Sequence, residues 1–460
     1  MERESPPITG ITTPPIWAVL GLATLVRAAL VPYGEWHDLA YPSLPYTDVD
    51  YAVFTAGARH LVAGASPYDC ETYRYPPILA VLMVPNLWVH PAAGKVLFCG
   101  ADLMVGWLIW ALVTPAASAR SGGGRGIVSR DQPKGSVEAG SAVTLSAEAC
   151  AALWLFNPLT AAISTRGNAE AVVSAAVLTT LWLLQRGRTT AAGVGFGLAV
   201  HLKLYPIIYA IPTLVTLGPK PAGRRHPSPG GRATGSLSVG RTVVATVRRE
   251  ITPARVEFVV GAAASLTVMT GVSFAAYGWP FLWQTYLYHF VRADHRHNFS
   301  PYFLPVYLTA DPTDAVDPAG MSMGAKAIGL AALIPQAGLV LYAGVRCADD
   351  LPFAWLLQSM IFVMFNKVCT SQYFVWVLCL IPVAAPTLGL SVRQASLVAA
   401  VWAGGQALWL QAAYRLEGLG QGNFIEVWAC GVALLLIHAW CVRVIAESHG
   451  QYTHMHRTQD

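Results

Sequence analysis

Apolar runs close to the ~20 residues that cross a ~30 Å hydrocarbon layer recur along the whole of this 460-residue chain, and that recurrence leaves few folds open. Candidate spans fall at 14–33, 95–114, 143–163, 170–185, 189–202, 204–217, 256–276, 325–344, 351–365, 372–388, 394–412 and 424–446. With 54% of residues hydrophobic and 12% charged, the chain carries more apolar surface than the core of a water-soluble domain needs. Backbone N–H and C=O groups find no partners in lipid, so segments this long and continuous are expected to be helices rather than the alternating strands of a barrel. The expected fold is one all-α polytopic membrane domain over 1–460, a bundle of about 10–13 transmembrane helices. The first run lacks a small-residue cleavage site and is followed by further spans, so it reads as a retained signal-anchor.

Lys and Arg collect in two Gly/Ser/Pro-rich stretches, 115–142 and 218–255, which read as flexible cytosolic loops under the positive-inside rule. They account for the net charge of +5 and suit anionic lipid headgroups better than nucleic acid. The polar tail 447–460 shares their side. Threading the spans between these loops puts every unusual polar segment on the opposite, non-cytosolic face. These are 34–94, "STRGNAE" (164–170), 278–324, "NKVCTSQ" (366–372) and "YRLEGLGQGNF" (414–424). Residues 78–94 are expected to lie on that face as an interfacial helix, because a span there would reverse everything downstream.

Charge at membrane depth costs around 3 kcal/mol per residue on insertion scales and marks function by default. Arg27, Arg166, Lys203 and Lys367 lie inside or at the ends of spans. Any one of them can snorkel, but four cations on one face, beside the acidic stretch "YTDVDY" and "HFVRADHRHNFSPYF" (289–303), are hard to explain as packing. Arg, Lys and His beside carboxylates suit an anionic lipid phosphate next to a group that must lose a proton. Asp48 and Asp50 project to opposite sides of a strand, or about 200° apart on a helix, so one is expected to be a base and the other an orienter. A D-x-D by itself is a weak signal, since Asx turns use the same residues.

The blocks "YTDVDYAVFTAGARHLVAGASPY", "TYRYPP", "STRGNAE", "HLKLYP", "YLYHFVRADHRHNFSPYF", "FNKVCTSQYFVW" and "LWLQAAYRLEGLGQGNF" follow one another between residues 34 and 430. Together they resemble the PIG-M family, the first mannosyltransferases of glycosylphosphatidylinositol (GPI) assembly. The resemblance implies a GT-C-type helical bundle in the endoplasmic reticulum membrane with its site facing the lumen. It further implies transfer of mannose from dolichol-phosphate-mannose to the 4-hydroxyl of the glucosamine of glucosaminyl-phosphatidylinositol, α1,4-linked and with inversion. The family's essential D-x-D falls on Asp48 and Asp50; Asp48 is expected to be the base, with Asp50 holding the acceptor or Asp48 itself. A small single-span accessory subunit with a luminal domain is also implied. The chain departs from the family mainly in its two long cytosolic loops.

Dolichyl phosphate leaves with added negative charge, so fixed cations are required. Arg74, Lys203, Arg292 and Arg296 are the candidates, joined by Lys367, while His295 and His297 share the task or hydrogen-bond locally. Arg166 and Asn168 are expected at the site rather than as a cap between two spans, and Gln372 and Tyr75 join the binding set. Tyr46, Tyr51 and Tyr73, like Tyr75, either face the sugar or fix the luminal loop. A D-x-D often holds a divalent metal against a nucleotide diphosphate, but this donor has a single phosphate and no nucleotide, so no metal or cofactor is expected. Eight cysteines lie mostly within spans and are expected as free thiols rather than a disulfide framework, with Cys70 and Cys369 as the pair placed to face the lumen. The alternatives are another dolichol-phosphate-dependent transferase with a different acceptor, or a transporter or flippase, which internal repeats would support and none is evident.

Overall fold

A computed structural model describes residues 14–122, 145–219, 251–291, 297–309 and 323–457, in which every regular element is helical. The basic stretches within 123–144 and 220–250, and the candidates Arg292, His295 and Arg296, lie outside the described residues. The principal helices are α1 (Ile16–Ala40), α2 (Val49–Val62), α3 (Pro77–Leu82), α4 (Ala93–Gly122), α5 (Ala147–Leu155), α6 (Pro158–Thr165), α7 (Glu170–Gln185) and α8 (Thr189–Leu202). They are followed by α9 (Ala210–Thr216), α10 (Pro253–Leu282), α11 (Met323–Arg346), α12 (Leu351–Met364), α13 (Val392–Glu417) and α14 (Phe424–Arg457).

Among the described residues, five segments are long and apolar enough to cross a bilayer: Ile16–Ala40, Ala93–Pro115, Pro253–Phe290, Gly329–Arg346 and Phe424–His454. A sixth arises if α6 and α7, bent by 117° at their junction, are one broken span. Several other apolar runs fold as shorter helices, because residues that end helices interrupt them. The Asn157–Pro158 step separates α5 from α6, with Asn157 capping α6 through Leu159 N–H at 2.9 Å. Gly187, at φ 68°, ends α7 before α8. These short helices are mostly interior: in the 14 residues of α12, Phe353–Ile361, Val363 and Met364 are buried. Stacked rings join them, Tyr209 on Trp355 at 4.5 Å and Tyr205 on Trp376 at 3.9 Å. A helix enclosed by protein has no need to span the full hydrocarbon thickness, because neighbouring helices rather than lipid meet its ends.

The cation at residue 27 belongs to this interior rather than to the polar face. Arg27 is 2% and Asp102 0% exposed; Arg27 Nε donates to Asp102 Oδ2 at 2.7 Å and Nη1 to the Leu155 carbonyl at 3.0 Å. Ser164 Oγ donates to the same carboxylate oxygen at 2.8 Å. One buried ion pair therefore ties α1, α4, α5 and α6 together, the arrangement that makes a charge tolerable at membrane depth.

The polar segment 41–92 folds back over one end of the bundle. Residues 77–88 form α3 and a further turn, Pro85–Trp88, short elements in place of a continuous helix through 94. Aromatic hydroxyls pin this segment. Tyr73 Oη donates to the Pro76 carbonyl at 2.9 Å and accepts from Ala80 N–H at 3.0 Å; Tyr51 Oη donates to the Pro91 carbonyl at 2.7 Å. Fixing the loop is thus the observed work of these two rings. Asn298 is 1% exposed, donating to the Lys367 carbonyl at 3.0 Å and accepting from Ser300 and Cys369 N–H at 3.0 and 3.2 Å, which leaves its amide enclosed. Cys70 and Cys369 are both free thiols.

Candidate active site

The acidic motif sits at the start of α2, and helix geometry divides the two carboxylates. Asp48 is the N-cap: its Oδ1 accepts from Asp50 N–H at 3.0 Å, satisfying one of the orphan donors of the first turn. Its Oδ2 meets Asn168 Nδ2 at 3.4 Å. Asp50, within the first turn, is aimed elsewhere, into a cleft also lined by Phe54, Tyr75, Leu79, Asn168, Glu170 and Lys203.

The motif is held from both sides. On one, Asp38 accepts from the N–H of Tyr46, from the N–H of Thr47 at 3.0 Å and from the Thr47 hydroxyl, and the buried Lys95 ammonium donates to Thr47 Oγ1 at 2.7 Å. On the other, Arg166 Nε donates to the Tyr46 carbonyl at 2.7 Å, and the Arg166 carbonyl accepts from Asp48 N–H at 2.8 Å. Arg166 therefore works as a clamp on the acidic loop. The α6–α7 junction makes this contact through Gly167, at φ 90°, where a Cβ would come within 2.4 Å of the Tyr51 ring. Only glycine accepts both that backbone and that closeness, and the turn it allows brings Asn168 to Asp48.

Asn168 links two remote blocks, donating to Gln372 Oε1 at 3.0 Å as well as to Asp48, while its Oδ1 accepts from Glu170 N–H at 3.1 Å. The Lys203 ammonium is ion-paired to Glu170 Oε1. Asp50, Tyr75, Asn168 and Lys203 thus line one cleft, with Asp48 and Gln372 hydrogen-bonded to Asn168 and Arg166 holding the acidic loop behind it.

Other expected members are placed differently. Arg74 lies beside Tyr75 with its guanidinium over the Tyr288 ring at 4.5 Å, and its Nη1 is buried without a hydrogen-bond partner among the described residues. Lys367 Nζ donates to the Phe290 carbonyl at 2.8 Å. His297 is 77% exposed and meets Glu417, its Nδ1 2.7 Å from Oε2 and its backbone N–H donating to Oε1 at 2.7 Å. Glu170 had no place in the expected site. It is 3% exposed, and only its position in "STRGNAE" hinted at it.

Burial, and next the neighbouring Asp48 carboxylate, push the Asp50 carboxyl up to about 6, against a hydrogen bond from Tyr75 and the charge of Lys203. Burial and then Asp50 itself hold the Tyr75 hydroxyl well above the usual tyrosine range, so Tyr75 remains a proton-bearing donor. A carboxylate with affinity for a proton near neutrality, at the wall of a half-apolar cleft beside an ammonium, has the makings of a general base serving an anionic leaving group.

The family model of the mannosyltransferase (PIG-M) matches residues 163–446, and that of glycosyltransferase family 87 matches residues 73–226. The chain is 36% identical over 433 residues to GPI mannosyltransferase 1 of Dictyostelium discoideum, covering 94% of this chain and 91% of that one. It is 38% identical over 436 residues to the GPI alpha-1,4-mannosyltransferase I, catalytic subunit, of Danio rerio, covering 94% and 97%. With GPI mannosyltransferase 1 of Schizosaccharomyces pombe it shares 34% identity over 424 residues, covering 92% and 100%.

Proposed function

The chain belongs to the PIG-M mannosyltransferase family and is a multi-pass membrane glycosyltransferase, and from that premise we propose that it transfers the first mannose of the GPI core. The acceptor is glucosaminyl-phosphatidylinositol, the linkage α1,4 and the donor dolichol-phosphate-mannose, with the cleft open to the lumen of the endoplasmic reticulum. The observation that carries this reading is the cleft itself: one carboxylate of raised proton affinity, one ammonium and an apolar wall that suits an isoprenoid lipid.

In the proposed step Asp50 takes the proton of the acceptor's 4-hydroxyl while that oxygen forms a bond to mannose C1. The bond from C1 to the phosphate oxygen breaks on the opposite face, and dolichyl phosphate departs with the electron pair, so the anomeric centre inverts. The sequence pointed to Asp48 as base; the geometry favours Asp50, because Asp48 is already engaged by its own helix and by Asn168. Lys203, at the cleft wall, and Arg74, with its unsatisfied Nη1, are the cations for the leaving phosphate, a role for preorganised charge in a poorly hydrated site. With one phosphate to neutralise and cationic side chains to hand, the step is proposed to need no metal. By analogy with the Danio rerio relative named as a catalytic subunit, the chain is proposed to work with a second subunit.

The test is an assay of membranes carrying the protein, supplied with both lipids in excess chelator and scored for mannosylated lipid across pH. Product is expected at undiminished rate in chelator. On the acid side kcat/KM should fall about tenfold per pH unit once pH drops below about 6, as Asp50 takes up its proton and loses basicity. No product from this lipid pair, strict Mn²⁺ dependence, or a flat profile from pH 7 to 5 would each overturn the corresponding part of the reading.

A further inference from the structure

Glu170 is a carboxylate that the transfer chemistry above does not use. It opens α7, is 3% exposed and lines the same cleft as Asp50 and Lys203. Both of its oxygens are engaged, Oε1 by the Lys203 ammonium and Oε2 by Trp376 Nε1 at 2.6 Å. A carboxylate this far from water is costly unless paired and hydrogen-bonded, and an apolar pair of similar volume would join these elements as well or better. Packing therefore gives no reason for charge here.

The two partners differ in access. Lys203 is 27% exposed against 3% for Glu170, so the lysine side chain is the more accessible member of the pair. The Trp376 and Tyr373 rings lie 5.0 and 5.6 Å from it. Trp376 thus both fastens the carboxylate through its N–H and backs the cation with its ring. The charged or titratable groups facing Asp50 from the elements around it are Asp48, Tyr75, Lys203 and Glu170.

We propose that Glu170 is a positioning residue of the transfer reaction, holding the Lys203 ammonium at the cleft wall beside Asp50, where the donor's phosphate is neutralised. This rests on the proposed roles of Asp50 and Lys203. Without the Glu170 charge, the flexible lysine has no fixed anion to hold it and turns to solvent or to Asp50. The phosphate then loses its preplaced cation, and Asp50 loses a negative neighbour that favours its protonated form.

The experiment compares Glu170→Gln and Glu170→Asp in the full chain, measuring kcat and KM for dolichol-phosphate-mannose across pH. Glu170→Gln keeps an acceptor for Trp376 but no charge. It should lower kcat/KM about 10- to 100-fold, the scale of one charge-assisted hydrogen bond, chiefly through donor KM, and move the acid limb to lower pH. Glu170→Asp keeps the charge on a shorter stem, and should lose about three- to tenfold with the limb in place. Glu170→Gln within twofold of the parent, with an unmoved limb and normal folded yield, overturns the proposal. Should Glu170→Gln fold poorly, Glu170→Asp decides: the parent's limb with reduced kcat/KM supports positioning, and unchanged kcat/KM overturns it. An active Asp50→Asn protein would sink the underlying base assignment instead, whereas an inactive Asp50→Asn beside a normal Glu170→Gln would sink this inference alone.

Discussion

Asp50→Asn should lower mannose transfer by at least about 10³-fold, within the 10² to 10⁴ that a positioned base contributes, while leaving the yield of folded protein unchanged. The amide is nearly isosteric and can still accept from Tyr75, so the cleft keeps its shape, but it has no useful affinity for the acceptor's proton. Burial and the adjacent Asp48 raise the carboxyl of Asp50 to about 6, which means that ionising it opposes folding; removing the charge should, if anything, stabilise the protein slightly. Asp48→Asn is the informative companion. Asn caps helices about as well as Asp, and can keep the bond to Asp50 N–H, so its loss should be smaller, about 10- to 100-fold, through misplacement of Asn168 and the acidic loop. Initial rates on purified protein, with thermal unfolding as control, check both. A loss from Asp48→Asn equal to or above that from Asp50→Asn would return the base assignment to Asp48.

The second large effect concerns an ion pair that takes no part in the chemistry. Asp102→Ala strands the Arg27 guanidinium, 2% exposed, among α1, α4, α5 and α6. Removing one partner of a buried ion pair costs about 3–5 kcal/mol, a large fraction of the ~5–15 kcal/mol by which folded proteins are stable. The variant should be recovered in low yield, with a thermal midpoint depressed well below the parent's. Replacing both partners, Arg27→Met with Asp102→Leu, should recover most of the loss, because an apolar pair of similar volume leaves no uncompensated charge. An Asp102→Ala protein as heat-resistant as the parent would show that the pair contributes little.

How the two readings compare depends on the residue. The helical, membrane-spanning class was legible because apolar runs are local, and so was the acidic motif, since two carboxylates after an apolar span stand out against a chain with 12% charge. The surroundings of each apolar run were not. Hydropathy registers α12 as it would a lipid-facing helix, although protein encloses it; periodicity and apolar content do not distinguish the two environments. The cations separate in the same way. Arg27 and Lys203 are alike as isolated charges in apolar sequence, yet one meets Asp102 in the interior and the other Glu170 at the cleft.

By itself, then, the sequence determined that the chain is a helical membrane protein, and it named most of the groups that meet around Asp48 and Asp50. Those are consequences of composition along the chain and of residue type. Only the tertiary structure decided that Asp48 caps a helix while Asp50 faces the cleft, that Arg166 clamps the loop, and that Glu170 secures Lys203 with help from Trp376, 206 residues away. A carboxylate's role is set by what it touches and how far it lies from water, and both are created when distant segments pack together.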